Sequence, residues 1–145
     1  MSATATPYGL LPIRKLGSNT NSTGVTPYSI ASGYATNIFY GDVVKLASDG
    51  TIAKDTGTAT ATPLGVFMGC QYTDSTSGFL TRQYWPASTT ASDAIALVCD
   101  DPDQVYKVQA GAAVEAADVG LNAALVQGSG STATGKSGVT VASQA

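Results

Sequence analysis

The ten residues PLGVFMGCQY, positions 63 to 72, alternate as an extended chain does. Leu64, Val66, Met68, Cys70 and Tyr72 fall on one side, and Gly65, Phe67, Gly69 and Gln71 on the other. Side chains repeat every two residues in a strand and every 3.6 in a helix, so this run commits the chain to a sheet. The pattern recurs in short pieces. In YGDVVKLASDGTI, positions 40 to 52, Asp42, Val44 and Leu46 share one face and Val43, Lys45 and Ala47 the other. Ser48-Asp49-Gly50 supplies the turn, because Asp-Gly tolerates the positive φ of a tight hairpin. TDSTSG turns the long strand into FLTRQYW, which Pro86 ends. AIALVCD is an apolar run of buried-strand length stopped by DDPD. QVYKVQA alternates again, with Tyr106 and Val108 opposite Val105 and Lys107, and VTVAS offers a last strand. Only AAVEAADVG, positions 112 to 120, has helix-favouring content, enough for one short helix at most. Strands separated by turns every roughly 8–12 residues predict a mainly β fold, a compact barrel or sandwich of short antiparallel strands.

Residues 1–36 read differently. Pro7, Pro12 and Pro27 each fix φ and remove a backbone donor, which disfavours a central strand or a long helix. GSNTNSTG forms a polar loop, and the apolar residues Tyr8, Leu10, Leu11, Ile13 and Tyr28 are scattered. The division expected is an extended N-terminal arm over 1–36 and a β-domain over 37–145. On this reading the domain folds without residues 2–16, and the arm lies on an adjacent copy or another partner. GSGSTATGKSG, near the other end, reads as a flexible loop.

Charge and side-chain chemistry narrow the function. Only 12% of residues are charged and the net charge is −3, with seven scattered Lys and Arg residues. Phosphate neutralisation needs clustered basic residues, so a nucleic-acid partner is not expected. A surface of hydroxyls with few charges desolvates cheaply against another protein. MSATATPYGLL lacks the basic and apolar regions of a secretory leader, and no apolar run approaches the ~20 residues of a membrane span. No membrane partner is expected, and synthesis in the cytoplasm is. Asn21-Ser22-Thr23 fits the glycosylation pattern, which carries little meaning without such a leader. Cys70 and Cys99, in apolar segments, read as buried free thiols.

Reactive constellations are sparse. The chain contains no histidine, which removes Ser-His and Cys-His nucleophiles and His-ligated metals. GSTATGKS, Gly130 to Ser137, fits the letters of the phosphate-cradling loop G-x-x-x-x-G-K-[ST]. That motif has to open a helix whose N-terminal amides face the phosphates. Here the β-branched GVTVASQA follows, so nucleotide binding through Lys136 is not expected. Asp100, Asp101 and Asp103 form a natural Asp-Asp-Pro-Asp turn, and a calcium site needs more oxygen ligands than one turn supplies. Glu115, the only glutamate, belongs to the short helical piece and is expected in solvent. Trp85, beside Tyr84, fits either the core or an exposed anchor. No catalytic residue, cofactor or metal is assigned, and the chain is not expected to be an enzyme.

Several segments then carry a resemblance. PYGLLPIRKL, YSIASGYATNIFYGDVVKL with DGTI, PLGVFMGCQY, YWPAST, DDPDQVYKVQA and AADVGLNAAL occur in that order. From Tyr8 to about Leu125 the chain resembles the capsid decoration, or cement, proteins of tailed bacteriophages. Past that point it reaches Ala145 soon after a loop, where similar proteins continue with further strands. The resemblance implies a β-domain on the outer capsid surface of the virion, clamping neighbouring major capsid subunits. It also implies a homo-oligomer, a trimer in preference to a dimer. Tyr8, Leu10, Leu11, Ile13, Tyr28, Tyr84 and Trp85 are the residues expected at the capsid or subunit interface. The other reading is a head-fibre or receptor-binding module that stacks host sugar on Tyr84 and Trp85.

Overall fold

The computed structural model describes residues 6–17, 24–58 and 60–142. Its strands are β1 (Leu11–Lys15), β2 (Thr26–Ser29), β3 (Val43–Leu46), β4 (Ile52–Lys54), β5 (Gly65–Asp74), β6 (Gly78–Arg82), β7 (Ile95–Cys99), β8 (Gln104–Lys107), β9 (Leu125–Val126) and β10 (Thr140–Val141). All the pairings between these strands are antiparallel, as expected of a β fold. The main sheet runs β2-β7-β5-β3-β4, with β6 on the second half of β5, while β1-β8 and β9-β10 form two smaller sheets. The arrangement is sandwich-like and not a closed barrel. Ile30, just past β2, makes a single bridge to Ile52 of β4.

The β3–β4 hairpin forms as its sequence demands. Lys45 opposes Ala53 and Leu46 opposes Ile52. The Asp49 carboxylate accepts the Thr51 N–H at 3.0 Å and the Thr51 hydroxyl at 2.7 Å, and Gly50 N–H bonds the Ala47 carbonyl. β7, the apolar run, lies between β2 and β5; Ala96, Val98 and Cys99 are buried as expected, while Ile95 is exposed. The helix-favouring segment yields only one 3-10 turn, Ala116–Asp118.

The long strand β5 departs from simple alternation. Phe67 opposes Val98 and Cys70 opposes Ala96, so three steps of β5 match two of β7. The extra residue is a β-bulge beside Gly69, whose φ of +126° suits a residue without a Cβ. Phe67 and Cys70 therefore both reach the main core, with Ile38, Val44, Ile52, Tyr72 and Trp85. Val66, which alternation groups with Cys70, turns to the opposite face. There it joins Val43, Cys99, Leu10, Tyr106 and Leu125 around a cavity of ≈ 350 Å³ between the sheets.

The boundary expected at residue 36 does not separate a detached arm. β1 pairs with β8, Leu16 N–H bonds the Asp103 carbonyl, and β2 pairs along its whole length with β7. Ile30 is a core residue, and Tyr28 packs against that core. Proline gives both segments the look of an arm, yet each is a strand at a sheet edge, where a missing donor is tolerated. Deleting residues 2–16 thus removes one half of a strand pair and the Lys15–Asp101 ion pair of 2.6 Å.

Candidate functional site

The residues expected at an interface do not form one surface. Trp85 is fully buried, its Nε1–H donating to the Tyr34 carbonyl at 3.3 Å and its ring set edge-on to Tyr72. The exposed-anchor and sugar-stacking readings of Trp85 are thereby overturned, because a side chain enclosed by the core presents nothing to a partner. Tyr84 is half-buried and stacks on Phe39 at 5.5 Å. Tyr28 is half-buried and its hydroxyl donates to Asp100. Leu10 lines the inter-sheet cavity, while Tyr8 and Leu11 line a groove on another side of β1. Only Ile13 among them is exposed, at 44%.

The chemically suggestive groups are committed to the fold. Asp101 takes Lys15 and the Asp103 N–H, which hold its carboxyl below the usual carboxylate range, while Asp100 accepts the hydroxyls of Thr26 and Tyr28. Among the described residues no cluster of three or more Cys, Asp or Glu side chains is arranged to hold a metal ion. Both thiols are free and buried, and burial pushes that of Cys70 up to about 12.

The GSTATGKS segment is a turn, with the Gly135 N–H on the Ser131 carbonyl. It does not hang free, since Tyr40 bridges Lys136 through bonds to Gly135 and Ser137. Ser137 is buried and donates its hydroxyl to Asp42, which also accepts the Phe39 N–H and pairs with Lys54 at 3.2 Å. The hydroxyl that a nucleotide loop aims at magnesium is thus engaged inside the protein. Titration with ATP and magnesium is expected to release no heat of binding. A micromolar dissociation constant abolished by Lys136→Ala would overturn that expectation.

One surface stands out, and sequence reasoning missed it. Residues 111–124 leave the body of the protein over a base closed by two bonds. The Gly111 N–H reaches the Val141 carbonyl at 2.8 Å, and the Ala142 N–H reaches that of Ala124 at 2.9 Å. Between these points Val114, Val119 and Leu121 are 57%, 81% and 58% exposed, and six alanines are exposed beside them. Glu115, Asp118 and Asn122 are the segment's polar residues, and Asp118 is occupied by the Glu115 N–H. Contiguous uncovered apolar side chains mark contact surfaces in soluble proteins. The usable signal was spacing: Val114 and Leu121, seven residues apart, share one helical face, but Val119 falls on the opposite side, so the three have no common face to bury.

The chain matches no family model, no curated protein and no solved structure.

Proposed function

We propose that the chain is a structural docking module whose 111–124 segment is buried on a protein partner. More specifically, it is a decoration protein on the exterior of an icosahedral phage capsid, where it clamps neighbouring major capsid subunits. The observation that carries the docking reading is the exposure of Val114, Val119 and Leu121 within one short segment. The sequence resemblance to cement proteins supplies the identity of the partner. Covering each such side chain contributes about 1.5–3 kcal/mol. Several copies acting as a trimer about a local threefold axis would multiply modest contacts into firm attachment. Such a module is made in the host cytoplasm and adds to shells already assembled; it does not nucleate them.

Co-sedimentation with expanded and unexpanded shells of a tailed-phage major capsid protein tests this reading. The protein is expected to pellet with at least one form. Val119→Ser/Leu121→Ser is expected to bind at least tenfold more weakly, a loss of about 1.4 kcal/mol, with unchanged melting temperature. Absence of binding to both shell forms removes the decoration reading. Undiminished binding of the variant moves the contact elsewhere.

A further inference from the structure

The wall built by the GSTATGKS segment encloses a second feature. Gly9, Gly41 and Ser137 cross so closely that a Cβ on Gly9 would stand 2.5 Å from the Gly41 carbonyl oxygen and 2.6 Å from the Ser137 Cβ. Leu10 N–H bonds the Gly41 carbonyl at 3.0 Å, which fixes the N-terminal strand beside Tyr40, itself bridged to Lys136 of the 129–138 loop. The crossing leaves a groove of ≈ 620 Å³ alongside it, within the roughly 300–1,000 Å³ of small-ligand clefts. Tyr8 and Tyr40 supply aromatic lining, Ser131 and Thr134 supply hydroxyls, and Lys107 and Lys136 supply positive charge.

We propose that this groove binds an acidic saccharide, a sugar acid whose carboxylate lies between Lys107 and Lys136. In a chain of net charge −3, no Asp or Glu lines the groove. Both lysines are exposed, and neither forms an ion pair among the described residues. The local field therefore favours an anion although the whole molecule does not. Tyrosine presents an apolar face with a polar tip, suited to the C–H face and the hydroxyls of a pyranose. Serine and threonine hydroxyls donate and accept, as sugar hydroxyls do. A phosphate ligand fits less well, because among the described residues no helix opens on the groove to direct its amides there. None of residues 111–124 lines the groove, so it is separate from the docking segment.

The test is titration of the isotope-labelled full chain with an alginate tetrasaccharide, followed by backbone NMR. Maltotetraose serves as the neutral control and tetraglutamate as the charge control. Saturable binding of the uronate is expected, with shifts confined to the amides around Tyr8, Tyr40 and Lys136. Affinity is expected to fall at least tenfold for both control ligands. It is expected to fall at least tenfold for Lys107→Gln/Lys136→Gln, whose exposed sites leave the melting temperature unchanged. Lack of saturation by alginate, equal binding of tetraglutamate, or equal binding by the double variant would each overturn the proposal.

Discussion

Trp85→Ala is expected to lower the unfolding free energy by about 3–5 kcal/mol, the range for deleting a large buried aromatic. That is a large share of the roughly 5–15 kcal/mol by which a domain is stable. Trp85 is fully enclosed and joins three parts of the chain at once. Its backbone exchanges hydrogen bonds of 2.8 and 3.1 Å with Ile38, its indole reaches the Tyr34 carbonyl, and its ring meets Tyr72 at 5.3 Å. Urea denaturation measures the loss. Because Trp85 is the chain's only tryptophan, its fluorescence also reports the site directly. Blue-shifted emission that moves red on unfolding is the expected result. A loss below about 1 kcal/mol, where surface changes fall, together with native emission at the wavelength of free indole, would contradict the enclosed position.

The second large effect is expected at Asp42. Its carboxylate, fully buried, receives the Ser137 hydroxyl, the Phe39 N–H and the Lys54 ammonium. Removing one partner of a buried pair leaves the other charge uncompensated, which costs about 3–5 kcal/mol. Asp42→Ala is therefore expected to fall in that range, whereas Ser137→Ala, which removes one hydrogen-bond donor, is expected to cost about 1–2 kcal/mol. A double-mutant cycle separates the terms. Asp42→Ala/Lys54→Met is expected to be less destabilised than the sum of its single variants, since the methionine leaves no orphaned ammonium. Strict additivity in urea denaturation would show that the two side chains do not stabilise one another.

Much of the sheet was legible because its signals are local. The β3–β4 hairpin declares itself through Asp49-Gly50, and β7 through an apolar run bounded by Asp residues. β5 was legible as a strand but not in its facing, because one extra residue beside Gly69 reverses the side on which Phe67 falls. A bulge is fixed by pairing with β7, and alternation within β5 carries no trace of that partner. The same limit hid β1 and β2, whose partners lie far along the chain and whose prolines read as interruptions. Trp85 was undecided because its neighbours Tyr84 and Pro86 suit a core and a surface equally. The 111–124 segment was concealed by its alanines, which favour helix intrinsically but have nothing to pack against here.

The pairing of β1 with β8 has a consequence for how the chain is made. The hydrogen bond from Gln104 to the Arg14 carbonyl spans 90 residues. At ribosomal rates of ~5–20 residues per second, the first strand waits on the order of 5 to 20 s for its partner to emerge. Throughout that interval Leu10, Leu11 and Ile13 are exposed on an unpaired strand, the kind of segment that recruits a neighbouring nascent chain. Pro12 sits within β1 and Pro27 within β2, each lacking the donor that a foreign strand would need to extend a ladder. The prolines that interrupt the N-terminal pattern thus protect two strands that leave the ribosome long before their partners do.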